Sequence, residues 1–214
     1  MTNDVFELDG LERDALTELV NIGVSRAASS LRKMLDRLIL LTVPSVELVS
    51  RKAAAILLGQ QEVESLLAIE QQFDGPFDGR ALLVFPNTHG RSLVRAILWD
   101  DISEAELQTI EDEAMGEAGN IILNSCLGSM ANMLNRTLRI SLPKIVRGES
   151  PRLFIETEVK SNDLVLFLYI NFTVSERDIR GYLALVMDVT SLGKLKALIT
   201  EFIERVTNGF ETAT

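Results

Sequence analysis

The chain has 214 residues, of which 47% are hydrophobic, and this length and composition suit a globular protein with a sizeable core. Its formal net charge of -10 argues against phosphate-backbone binding as the main activity, so no nucleic-acid partner is expected. No signal peptide and no run of about 20 apolar residues occur, so we expect a cytoplasmic protein without a membrane span. A single cysteine, Cys126, and a single histidine give no ligand set for zinc.

The predicted elements run in the same order in both halves of the chain. In the first half, apolar spacing predicts a helix over 10–41, an extended segment over 43–49, strands over 64–73 and 80–85, and a helix over 88–98. In the second half, it predicts a helix over 103–136, strands near 140 and over 152–159, a strand pair over 164–174 and 182–188, and a helix over 192–206. Ser103 and Glu106 form the pattern of a capping box at the start of the second long helix.

This order predicts one domain over 1–214, made of two internal repeats at about 10–100 and 103–206. No linker rich in Pro, Gly or Ser separates the halves, so neither is expected to fold alone. The expected fold class is α/β in the α+β sense. Two pseudo-symmetric halves share an antiparallel β-sheet, and long helices pack on it.

One constellation of residues occurs twice with a constant offset of 99. It comprises Asp14, Glu18, Asn21 and Pro44 in the first copy and Glu113, Glu117, Asn120 and Pro143 in the second. Between 14–44 and 113–143, nine of thirty-one aligned pairs are identical, against roughly two expected from ordinary composition. An internal duplication explains this agreement, and the polar residues retained in it need a reason.

The repeated acidic and amide residues fall on one helix face. Glu18 and Asn21 are three residues apart, and Asp14 lies one turn earlier. Such a carboxylate can hold a partner's cation while the carboxamide, both donor and acceptor, orients a water molecule. Solvation alone explains a single exposed Glu and Asn, but retention of both in two diverged copies favours function.

The spacing Asp/Ser-x3-Glu-x2-Asn-x22-Pro resembles the signature of the CheC, CheX and FliY family of response-regulator phosphatases. Both copies of the constellation have this spacing. The resemblance spans nearly the whole chain. It implies two related halves that share an antiparallel sheet, with exposed signature helices and two active sites. It also implies hydrolysis of the aspartyl phosphate of a CheY-type regulator in chemotaxis.

The resemblance assigns roles by position. Glu18 and Glu117 would contact a lysine of the phosphorylated regulator, while Asn21 and Asn120 would orient the attacking water. Asp14 and Glu113 would be outer contacts, Glu113 standing where the family pattern has Asp or Ser. The chain itself would bind no cofactor, since Mg²⁺ would come with the regulator.

Three further expectations stand beside these roles. Pro44 and Pro143 are predicted to be structural, at the passage from helix to strand or at a strand start. Members of the CheC type also bind the receptor deamidase CheD, so the resemblance implies CheD as a second partner. The small residues of the second signature helix, which include Gly116, Gly119 and Gly128, suggest close packing there.

An alternative of another class stays open at this point. A non-catalytic adaptor of the same fold would bind a response regulator, CheD or the flagellar switch without turnover. Catalysis at substoichiometric protein distinguishes the two classes.

Overall fold

The computed structural model describes residues 7–35, 39–43, 46–62, 65–98, 103–155, 164–174 and 177–211. Within these ranges the chain forms six helices and eight strands. The helices are α1 (Gly10–Leu35), α2 (Arg51–Gln61), α3 (Asn87–Leu98), α4 (Glu104–Met133), α5 (Ser150–Phe154) and α6 (Val189–Glu211). The strands are β1 (Ile39–Thr42), β2 (Val46–Ser50), β3 (Leu66–Asp74), β4 (Gly79–Pro86), β5 (Arg139–Ile140), β6 (Lys144–Gly148), β7 (Leu164–Val174) and β8 (Arg177–Met187).

All eight strands belong to one antiparallel sheet whose order is symmetric about its centre. The order is β1-β7-β8-β4-β3-β5, with β2 also paired to β7 and β6 also paired to β3. The two halves therefore meet at the β4–β8 pair, where Leu82 lies opposite Ala184. The expected pseudo-symmetric fold with one shared sheet is confirmed.

The two halves exchange their short strands across this sheet. Strands β1 and β2 of the first half pair with β7 of the second, while β5 and β6 of the second half pair with β3 of the first. A separated half would lose these backbone partners, and unpaired strand groups are costly when buried. The repeat boundaries near 10–100 and 103–206 stay a prediction.

Helices cover both faces of the sheet. The long helices α1 and α4, with α3 and α6, pack on one face around a core that contains Leu19, Leu67 and Ile122. The short helices α2 and α5 pack on the other face around Leu58, Phe154 and further residues. The signature helices therefore lie on the face that holds the larger core.

Most predicted elements are present, with two corrections. The first helix ends at Leu35, not near 41, and Ile39–Thr42 is strand β1, whose alternating burial is a two-residue period. The predicted strand over 152–159 is wrong where the structure describes it, because Ser150–Phe154 is helix α5 with Pro151 in its first turn. Helix α2 and strand β6 were not predicted.

Candidate functional site

Helix α1 begins with a reciprocal cap that fixes the start of the first signature. Asp9 Oδ1 accepts from the Glu12 backbone N–H at 2.8 Å, and Glu12 Oε2 accepts from the Asp9 backbone N–H at 2.9 Å. Leu16 and Leu19 then dock the helix on the core with at most 1% exposure. The opposite face stays in solvent, and Asp14 belongs to it.

Helix α4 repeats this arrangement. The predicted capping box is confirmed, since Ser103 Oγ accepts from the Glu106 backbone N–H and the Glu106 carboxylate accepts from the Ser103 backbone N–H. Glu113 and Glu117 are exposed, as are Asp14 and Glu18 on α1. Both helices therefore present the acidic residues of the repeated motif to solvent, as the sequence predicts.

The two asparagines differ from the glutamates because each is half-buried. In the first copy, Asn21 Oδ1 accepts from the backbone N–H of Val43 at 3.2 Å. Val43 directly follows β1 and directly precedes Pro44, which lies outside the described residues. The backbone directly after β1 thus holds the first amide.

The second asparagine is held by side chains. Asn120 Oδ1 accepts from Gln71 Nε2 at 3.0 Å and from Asn124 Nδ2 at 2.7 Å. Gln71 Nε2 also donates to the backbone carbonyl of Ser141 at 2.9 Å. Gln71 is only 1% exposed, and its Oε1 has no hydrogen-bond partner among the described residues. Among the described residues, the buried Gln71 carboxamide therefore makes hydrogen bonds only through Nε2, to Asn120 and to Ser141.

The identity of the donors fixes which end of each asparagine points inward. A backbone N–H can only donate, so the atom of Asn21 that faces Val43 is the oxygen. A backbone carbonyl can only accept, so Gln71 turns its Nε2 toward Ser141 and Asn120. Reversing the Gln71 amide would place its oxygen against the Ser141 carbonyl oxygen.

The nitrogen of each asparagine is therefore available to a partner. Within the described ranges, neither Asn21 Nδ2 nor Asn120 Nδ2 donates to a protein acceptor, and neither is among the buried unpaired atoms. Each copy thus combines an exposed carboxylate with an amide whose nitrogen reaches solvent one turn further along the helix.

The two signature helices also contact each other. A Cβ on Gly23 would stand 2.7 Å from the backbone Cα of Cys126, so the helices touch at this point. Cys126 is 1% exposed and is a small core side chain at this contact. Arg26 of α1 donates to Ser129 Oγ of α4 at 3.3 Å, one turn beyond that contact on each helix. These contacts hold the two copies in a fixed relation.

The one remaining predicted position within the described residues lies where the chain changes element. Pro143 is half-buried and directly precedes β6, at a strand start. In the described part of the chain, no three His, Cys, Asp or Glu side chains are grouped so as to hold a metal ion. None of the described helices is long and apolar enough to cross a membrane.

Sequence reasoning did not identify Gln71 and Asn124 as part of the site. Asn124 stands four residues after Asn120, a spacing that brings helical side chains together and was visible in the sequence. Gln71 is a polar residue at an inward-facing position of an otherwise apolar strand, which is a weaker signal.

Known proteins resemble this chain in both sequence and fold. Residues 11–48, which contain the whole first copy of the motif, match the CheC-like family. The flagellar motor switch phosphatase FliY of Bacillus subtilis is 27% identical over 164 residues, which are 76% of this chain and 41% of that protein. The CheY-P phosphatase CheC of Bacillus subtilis is 26% identical over 137 residues, which are 63% of this chain and 65% of that protein. The chain thus spans less than two thirds of either relative.

Solved structures show the same fold. The FliY crystal structure from Thermotoga maritima superimposes with a TM-score of 0.72 at 22% identity, covering 92% of this chain and 100% of that one. The FliM middle domain from H. pylori gives a TM-score of 0.59 at 9% identity, covering 89% of this chain and 99% of that one. These matches show that the chain is similar in sequence to CheC-like proteins and has the fold of FliY.

Proposed function

We propose that the chain is a phosphatase that hydrolyses the aspartyl phosphate of a CheY-type response regulator in chemotaxis. The observation that carries the proposal is the pairing, in both copies, of an exposed glutamate with an asparagine whose oxygen is held and whose nitrogen is free. The names of the related CheC and FliY proteins, both phosphatases, agree with it.

The reaction needs little from the protein beyond position and charge. Water attacks the phosphorus in line, the bond between phosphorus and the aspartyl oxygen breaks, and the carboxylate leaves as inorganic phosphate forms. An amide inserted beside the phosphoryl group can place that water without acting as a strong base. Asn21 and Asn120 are fixed on rigid helices at the edge of the protein, which suits insertion into a partner.

The glutamates serve docking in this scheme. Glu18 and Glu117 are exposed, and neither makes a hydrogen bond or ion pair with another described residue. Each carboxylate is therefore available to a lysine of the regulator. Magnesium, which phosphoryl chemistry of this kind uses, would arrive with the regulator.

The test is the decay of phosphorylated CheY-type regulator from the same cell at substoichiometric amounts of this protein. We expect Asn21→Ala with Asn120→Ala to lower the rate about a hundredfold, with regulator binding retained. Asn132→Ala is the matched control, because Asn132 is an exposed asparagine of α4 outside the site. Equal rates for wild type and double variant would disprove the role of the amides.

A second pair of variants separates docking from turnover. Glu18→Ala with Glu117→Ala should raise KM with kcat nearly unchanged, since the lost contact is made before and during the reaction alike. Glu204→Ala removes one such charge at an exposed position of α6 and should leave both constants unchanged. Binding of the regulator without any acceleration would instead support a non-catalytic adaptor. The cytoplasmic location and the CheD partner stay predictions.

A further inference from the structure

The register of the sheet identifies which residues occupy equivalent places around the two asparagines. Leu41 pairs with Phe172, and Ile140, which is 99 residues after Leu41, pairs with Phe73. Phe73 and Phe172 are themselves 99 residues apart, so the repeat extends into β3 and β7 with the same offset.

At two pairs of equivalent positions, the two copies carry different residues. Two residues before each phenylalanine stand Gln71 in the second site and Ile170 in the first, both 1% exposed. Four residues after each signature asparagine stand Asn124 in the second site and Ser25 in the first, both exposed. The donors that hold Asn120 thus have no counterpart of the same type around Asn21.

This difference changes how much of each carboxamide oxygen is available. A carboxamide oxygen has two lone pairs. Asn120 Oδ1 uses both, one for Gln71 Nε2 and one for Asn124 Nδ2. Asn21 Oδ1 accepts only from the Val43 backbone N–H among the described residues, which leaves one lone pair for an O–H of water.

We propose that Gln71 and Asn124 are positioning residues that make the second site slower than the first. The inference rests on the proposed phosphatase function and deepens it. At the first site, Asn21 can donate from Nδ2 and accept at Oδ1, so it orients a water through two contacts. At the second site, Asn120 can only donate. Glu117 remains exposed as Glu18 is, so docking is the same at both sites while turnover differs.

The chain offers a reciprocal exchange as the test. Asn21→Ala leaves the second site alone, and adding Asn124→Ser gives that site the residue of the first. Asn120→Ala leaves the first site alone, and adding Ser25→Asn gives that site the residue of the second. Both exchanged positions are exposed on helices, so folding is retained.

Opposite changes in kcat are expected from the two exchanges. Asn124→Ser should raise the kcat of the second site about fivefold and Ser25→Asn should lower that of the first about fivefold, the effect of one hydrogen bond, with KM unchanged. Asn21→Ala alone should cost more activity than Asn120→Ala alone. The inference is overturned if the second site is the faster one, or if Asn124→Ser leaves its kcat unchanged.

An activity-independent measurement keeps the two proposals separate. In ¹⁵N-labelled protein, the Gln71 side-chain NH₂ should exchange slowly with solvent and should exchange faster in Asn120→Ala. Fast exchange in both proteins would overturn the inference even if the phosphatase is active. Slow exchange without any acceleration of dephosphorylation by wild type would mean that the proposed function fails, and the difference in turnover with it.

Discussion

Gly119 of α4 lies directly against Ile69 of β3. A Cβ built on Gly119 would stand 2.7 Å from Cγ1 and Cγ2 of Ile69 and 2.8 Å from its Cβ. Asn120 follows this glycine, and Gln71, which holds the Asn120 oxygen, lies two residues after Ile69. The absence of a side chain at Gly119 therefore sets how closely the second site approaches the sheet.

Gly119→Ala should destabilise the protein by about 1–3 kcal/mol, because the branched Ile69 side chain cannot yield without moving the helix. Gly116→Ala is the matched control on the same helix. Nothing lies within 4 Å of a Cβ at Gly116, so the better helix propensity of alanine should stabilise by up to about 1 kcal/mol. Urea unfolding measures both. Equal effects would contradict the role of the Ile69 contact.

The same glycines show what the sequence can and cannot predict. Their clustering suggests close packing along α4, and this is right for Gly119 but wrong for Gly116 and Gly128, which have open space. Composition indicates a packed helix, but the sheet contact depends on which residue faces Ile69. That facing depends on the strand register, which the sequence leaves open.

The exposed and the buried parts of the site also differ in how well the sequence predicts them. Helical spacing alone predicts that Glu18 and Glu117 share a face with the asparagines and lie in solvent, as they do. The bond from Gln71 to Asn120 joins residues 49 positions apart. It depends on β5 pairing with β3 of the other half, an exchange of strands that no local pattern predicts.

Glu111 should contribute far more to stability than its neighbour Glu113. The Glu111 side chain is only 10% exposed, and its carboxylate accepts a hydrogen bond from Arg147 at 3.3 Å. Arg91 Nε lies 3.7 Å from the same carboxylate. Glu111→Ala removes a carboxylate shared by two guanidinium groups, so we expect a loss of about 1–3 kcal/mol, discounted because both arginines are partly exposed.

Glu113→Ala is its control. It deletes the same charge from the same helix at an exposed position, and it should change stability by at most about 0.5 kcal/mol. Thermal or urea unfolding at low and high salt distinguishes a specific contact from a general charge effect. A similar change for both variants would indicate that only net charge matters.

Cys126 should react with thiol reagents only when the protein opens. Burial raises the pKa of its thiol to about 12, and only the thiolate is nucleophilic. The single cysteine should therefore be protected from a disulfide reagent at about pH 8 and react fully in denaturant. Gly23→Ala should increase the rate, because its Cβ would stand 2.7 Å from the Cys126 Cα and force α1 from α4. Rapid labelling of the native wild type would contradict this packing.

Tyr182 lies on the face of the sheet opposite the signature helices, and it should make the stability of the protein depend on pH in the alkaline range. Its hydroxyl donates to the Glu62 carboxylate, and both residues are buried. The pKa of Tyr182 is raised, first because burial desolvates the phenolate, then because Glu62 accepts its hydrogen bond and repels a second negative charge. The folded protein therefore keeps a proton that the unfolded chain releases above about pH 10.

The sign of the pH dependence follows from this difference in bound protons. The contribution is fully present below the unfolded pKa, and it is lost as the pH rises from about 10 toward the raised folded pKa, so the free energy of unfolding should decline there. The Cys126 thiol has a raised pKa and acts in the same direction, so the measurement belongs in a Cys126→Ala background.

Tyr182→Phe in that background should flatten the alkaline decline, and it should cost about 1–3 kcal/mol at neutral pH, because Glu62 loses a buried hydrogen-bond partner. Tyr169→Phe is the companion variant. The chain has two tyrosines, so this change leaves Tyr182 as the single one. Phenolate absorbance in that variant then follows Tyr182 alone. Ionisation near the ordinary tyrosine pKa, before unfolding, would show that Glu62 and burial do not hold the proton.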